Sequence, residues 1–201
     1  MKKIFLLLAL AVSMALSQTP ADLVQTPTDV AFSKAYLAIE GGEVYPWGSL
    51  ADAVQNTYYA GISFRYTYWD NVDGIVMFNY SYFEPRPDDI SFDGAHQFTG
   101  RLGLDWKWSK IRPIVLGAGF ACNWVRADLE DGVDKDELYR KPGGTLGDNE
   151  TEFGWYGRFS VPLWKYQKFN VGLNVIYEEI WTLPRRSDVL TVGIYVERSL
   201  W

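Results

Sequence analysis

Polar and apolar residues alternate with a period of two along most of the chain, and the stretch RLGLDWKW at 101–108 shows it most plainly. Arg101, Gly103, Asp105 and Lys107 share one parity; Leu102, Leu104, Trp106 and Trp108 share the other. A strand of this kind meets different surroundings on its two faces. The same apolar parity recurs at Leu37 and Ile39, then from Tyr58 to Tyr68, Val76 to Tyr82, Phe98 to Trp106 and Ile114 to Trp124. It continues from Phe153 to Leu163, Phe169 to Tyr177 and Leu190 to Val196, with no charged residue in any run. The opposite parity is dominated by Gly, Ser and Asn with a few ionised side chains. Eight two-faced strands are predicted.

The connections alternate in length. Segments 43–55, 84–95 and 126–150 are long, 183–188 is intermediate, and 70–74, 109–111 and 165–168 are short. Long loops at one end and tight turns at the other suit an even-numbered up-and-down antiparallel sheet that closes into a barrel. Two closed arrangements share this pattern. A lipocalin-like soluble barrel buries the apolar set around a ligand, and a membrane barrel turns it outward. A solvated exterior is normally rich in Lys, Glu and Asp, whereas the polar parity here is rich in glycine, which fits a crowded interior. The fold class expected is therefore all-β, an eight-stranded antiparallel transmembrane β-barrel.

Tryptophan positions give an independent reason. With the mature N-terminus on the periplasmic side, the even-numbered strands return there and end in YTYW, DWKW, VPLW and RSLW. This places Trp69, Trp106, Trp108, Trp164 and Trp201 in one interfacial ring. Trp124, Trp155 and Trp181, with Tyr58, Tyr82 and Phe153, fall near the opposite strand ends. Two aromatic belts around an apolar band match rings held at headgroup depth.

Residues 1–17 read as a secretory signal: Lys2 and Lys3, an apolar run from Ile4 to Val12, then the small residues of Ala15-Leu16-Ser17. Residues 18–33, containing Pro20 and Pro27, read as an extended periplasmic lead-in, and 34–201 as the barrel. Removing Lys2 and Lys3 takes the formal charge from -6 to -8, which argues against nucleic-acid binding. No later run reaches the ~20 apolar residues of a spanning helix. The single cysteine, Cys122, cannot form an internal disulfide and falls on the apolar parity.

The eight alternating runs, their unequal connections and the closing LTVGIYVERSLW resemble the small eight-stranded outer-membrane barrels of the OmpA/OmpX type. The resemblance implies residence in the outer membrane of a Gram-negative-type bacterium. It also implies contact with outer-membrane lipid and lipopolysaccharide, folding by the barrel-assembly machinery and a monomeric state. In that group the final strand carries an assembly signal, which here corresponds to Gly193, Tyr195 and Trp201. Glu197 and Ser199 depart from the apolar alternation usual there, and strict alternation would turn Trp201 inward.

An eight-stranded barrel holds side chains and little else, so an open pore is not expected. Glu40, Arg65, Arg101, Asp105, Lys107, Arg158, Glu178 and Glu197 have the inward parity and are nearly balanced in charge. Buried charges must pair, which predicts a structural lumenal network. A narrow gated conduit is the alternative. A lipid A-modifying enzyme is a further reading, with His96 as the one candidate base and Ser91, Asp93 and Thr99 nearby. The parity of His96 sets it toward lipid headgroups, and nothing in the sequence brings a nucleophile and an orienting acid to it. The acidic loop 126–150 lacks the ligand spacing of a calcium loop. No cofactor or metal site is expected. YPWGSLADA, from Tyr45, is left open between a short helix and a contact site.

Overall fold

The computed structural model describes residues 35–69, 71–86, 92–108, 114–129, 149–181 and 187–200. The signal segment, the lead-in, most of the acidic loop and Trp201 lie outside the described residues. Eight strands follow in chain order: β1 (Ala35–Gly48), β2 (Thr57–Trp69), β3 (Val72–Phe83), β4 (Phe92–Trp108), β5 (Ile114–Leu129), β6 (Asn149–Tyr166), β7 (Phe169–Ile180) and β8 (Ser187–Ser199). One short helix, α1 (Ser49–Ala53), joins β1 to β2. Each strand pairs antiparallel with its neighbours, and β1 also pairs with β8, so the sheet closes and leaves no edge. Among the described residues no helix is long and apolar enough to cross a membrane. A closed barrel is the strand solution that satisfies every backbone group inside hydrocarbon.

The two parities separate as inside and outside. Leu102 and Leu104 are 63% and 55% exposed, whereas Arg101 and Asp105 are 5% and 0% exposed. Ile39, Ile62, Phe78, Leu116, Phe120 and Ile194 are outward as well. An apolar exterior around a charged interior is the inverse of a water-soluble barrel, and this excludes the lipocalin-like arrangement.

Several strands run further than the sequence indicates. β1 continues to Gly48, pairing with β8 as far as Gly48↔Ser187, so the predicted loop 43–55 shrinks to α1 and its flanks. The doublet Gly41-Gly42 hides the alternation in sequence, yet Gly42 is held against the Val192-Gly193 backbone, too close for a side chain. β4 likewise begins at Phe92, and β5 reaches Leu129.

Two irregularities rescue tryptophans from the wrong parity. On β2 the register shifts between Thr67 and Trp69, and on β6 between Pro162 and Trp164. Each shift inserts one residue into the strand and resets its phase. Trp69 and Trp164 thereby turn outward, 67% and 62% exposed, where strict alternation would bury them. Trp106 and Trp108, also exposed, stack with centroids 6.3 Å apart at the same strand ends. Near the other ends, Trp124 and Trp181 are exposed and Trp155 is half-buried.

Candidate functional site: the lumen and its mouth

The interior is layered. At the end that carries the short turns Arg65 bridges two carboxylates, with Nη1 3.3 Å from Asp73 and Nη2 2.5 Å from Glu197. Lys107 meets Asp73 at 2.7 Å and Thr67 Oγ1 at 3.3 Å, and Asn170 donates to Glu197 at 3.1 Å. The Arg65 guanidinium lies 4.7 Å from the centroid of the Tyr36 ring, a cation–π contact.

Above this, Arg158 donates to Asp105 across Gly117, and its guanidinium lies 6.0 Å from the Tyr195 ring. A Cβ on Gly117 would strike the Asp105 carboxylate, and one on Gly119 would come within 2.8 Å of the Tyr156 ring. Glycine at these two positions is thus a matter of space. Tyr156 packs there with Ile75, Met77, Ala121 and Ile176, an apolar ring within the lumen.

The next layer joins Arg101 Nε to Glu178 at 2.8 Å, and Asn123 Nδ2 also donates to Glu178. Gln97 and Thr99 donate to Asn123 Oδ1 at 2.7 and 2.6 Å. Glu40 accepts from Asn174 at 2.5 Å, and Tyr59 donates to Asn174 Oδ1 at 3.2 Å. All eight charged residues named from parity therefore lie in the lumen, though in separate layers and with Glu40 held by an amide. Gly193 and Tyr195 face inward too, Gly193 against the Tyr59 hydroxyl.

At the other end of the barrel, where the longer connections lie, the lumen turns apolar. Val44, Tyr59, Phe83, Ala95, Ala127, Ile180 and Val189 form an apolar cluster there, capped by Ala53 and Val54 with Leu50 against it. The cap is tied down by Leu50 N–H to Ser187 Oγ at 3.2 Å, Gln55 N–H to Glu84 O at 3.0 Å and Arg86 N–H to Ala53 O at 2.9 Å. Beneath it a cavity of about 20 Å³, lined by Leu50, Val54, Phe83, Gln97 and Asn123 among others, has room for about one water.

Sequence reading missed Asp73, which it placed in the turn 70–74. In VDGIVMFNY both parities are apolar, so the start of β3 shows no alternation, although Asp73 shares parity with Asn79 and Ser81. It also missed the company of His96. His96 is outward as expected, yet its Nδ1 lies 2.8 Å from Tyr80 Oη and its Nε2 3.1 Å from Asp128 Oδ2. Asp128 belongs to β5 and not to a solvated loop. Of the hydroxyls proposed near His96, Thr99 points inward to Asn123 and Ser91 lies outside the described residues. Cys122 is exposed on the outer face. Among the described residues no cluster of side chains suits a metal ion.

The closed ring, with its outward apolar band and filled lumen, has counterparts among solved structures. Neisserial surface protein A matches with a TM-score of 0.52 at 16% identity, over 82% of this chain and 97% of that one. The fold is that of a small eight-stranded outer-membrane barrel. The outer-membrane protein OprG of Pseudomonas aeruginosa matches with a TM-score of 0.49 at 12% identity, covering 82% of this chain and 96% of that one. The N-terminal barrel of Pseudomonas aeruginosa OprF matches at 0.46 and 11%, covering 82% and 98%. Neither a family model nor a curated protein matches the sequence.

Proposed function

We propose that this protein is an exported outer-membrane barrel of a Gram-negative-type envelope, acting as a monomer through its extracellular surface, with no catalytic centre. The observation that carries this reading is the lumen, where paired charges and an apolar cap fill the interior and leave the outer surface as the working part. Assembly by the envelope's barrel-inserting machinery belongs to the same reading.

The experiment is membrane fractionation followed by electrophoresis of boiled and unboiled samples. An outer-membrane barrel is expected in the outer-membrane fraction with a mobility shift on boiling; a soluble chain without a shift contradicts the reading.

One observation favours a narrow gated conduit as a second reading. The apolar cap around Leu50 and Val54 sits directly on the polar layer of Gln97 and Asn123, and hydrophobic constrictions gate by excluding water. Single-channel recording tests it: discrete openings support the conduit, and a silent bilayer containing folded protein rejects it.

A further inference from the structure

The wall of the barrel is joined where β1 meets β8, the pairing that brings the first and last strands together. One row of inward positions crosses that seam: Tyr59 on β2 stands beside Gly42 on β1, Gly42 beside Gly193 on β8, and Gly193 beside Asn174 on β7. The two glycines let the strands come so close that a Cβ on Gly42 would lie 2.4 Å from the Gly193 Cα. They also leave the inner surface bare, and the Tyr59 side chain reaches across it. Its hydroxyl occupies the space that a Cβ on Gly193 would take, two strands from its own backbone, and donates to Asn174 Oδ1 at 3.2 Å. Asn174 Nδ2 in turn donates back across the seam to Glu40 on β1.

The opposite side of the barrel contains the same joint. There Tyr156 on β6 stands beside Gly119 on β5, and Gly119 beside Gly103 on β4. The Tyr156 hydroxyl lies where a Cβ on Gly103 would be. Each strand of this joint is four places round the eight-stranded ring from its counterpart. The two rows differ at their last position, which is Asn174 at the seam and Ile75 on β3 opposite it. Ile75 offers no side-chain acceptor, and among the described residues the buried Tyr156 hydroxyl has no hydrogen-bond partner. Packing of a tyrosine ring over glycine is common to both sides; the hydrogen bond through its hydroxyl belongs to the seam.

We propose that Tyr59, Asn174 and Glu40 form a clasp that locks the closing seam. Tyr59 and Asn174 are 115 residues apart in sequence, and Glu40 and Asn174 are 134 apart. Loop-closure entropy opposes pairing between such distant segments, so the seam is where the wall opens first. The clasp holds β7 directly to β1 and β2, beyond what the backbone ladder between β8 and β1 supplies. All three side chains are buried, where hydrogen bonds are sheltered from competing water. Bonds made only after β1 has met β8 are absent from the folding transition state, so the clasp slows opening and leaves the rate of folding nearly unchanged.

Tyr59→Phe and Tyr156→Phe each remove a hydroxyl and keep the ring, which makes the second joint the control for the first. Hydrogen–deuterium exchange, followed by mass spectrometry on the full barrel folded in detergent micelles, reads opening strand by strand. Tyr59→Phe should raise exchange of the β1 and β8 amides about three- to ten-fold, the scale of one buried hydrogen bond, and leave β4 and β5 at the wild-type rate. Asn174→Ala, which removes both bonds, should act on the same strands and more strongly. Tyr156→Phe should change neither β4 and β5 nor the seam. Seam exchange at the wild-type rate in Tyr59→Phe would overturn the proposal. So would a rise spread equally over all eight strands, or an equal opening of β4 and β5 by Tyr156→Phe. Should Asn174→Ala not fold, the two Tyr→Phe variants, each lacking a single oxygen, decide the question alone.

Discussion

Arg101 and Glu178, carried by β4 and β7, meet at 2.8 Å across the lumen and are each almost fully buried. The pair crosses the barrel, so it ties together strands that share no backbone hydrogen bonds. Glu178 also takes the Asn123 amide, and Asn123 takes Gln97 and Thr99, so one carboxylate organises a layer.

Removing one partner of such a pair strands a buried charge, which costs about 3–5 kcal/mol. Arg101→Met is therefore expected to lower resistance to urea, read as loss of the unboiled gel mobility. The double variant Arg101→Met/Glu178→Met should lose less than the two single losses added together. Strict additivity of the two losses would show that the residues do not act as a pair.

Two glycines on opposite faces have different room. Gly119→Ala places a methyl against the Leu102 carbonyl and the Tyr156 ring, whereas Gly157→Ala, on the outer face, meets only the Trp155 ring at 3.7 Å. Overpacking costs about 1–3 kcal/mol, so Gly119→Ala should shift the urea midpoint down and Gly157→Ala should leave it nearly unchanged. Equal effects would contradict the close approach at Gly119.

This contrast marks what the sequence carries. Alternation is a local property, and it made the barrel, the lumenal parity of Arg101 and Asp105, and the outward Leu102 legible. It failed where the pattern is broken by steric need or by burial on both sides. Gly41-Gly42 erased the parity of β1, and Ile75 and Met77 gave β3 an apolar inner face that hid Asp73. The shifts at Trp69 and Trp164 follow from pairing between strands, which no single strand records. Contacts across strands were equally hidden: His96 and Asp128 are 32 residues apart in sequence, and only the β4–β5 register brings them together.

The mouth offers another test. Phe83 is buried among Val44, Val54 and Ile180, and truncating a buried Phe costs about 3–5 kcal/mol. Phe83→Ala should destabilise the barrel by that order and admit water to the lumen. A water-soluble thiol reagent should then reach a cysteine placed at Ala95 faster than in the same cysteine variant with Phe83 intact. Unchanged reactivity would mean that the cap does not seal the mouth.

The central claim is that the apolar face looks into hydrocarbon. Cys122 is the chain's one cysteine and lies exposed on that face, beside inward Asn123, which is buried. Spin-labelled at Cys122 and reconstituted into vesicles, the barrel should give a label relaxed strongly by oxygen, which concentrates in lipid, and weakly by a water-soluble nickel chelate. A label relaxed more by the chelate than by oxygen would contradict the account.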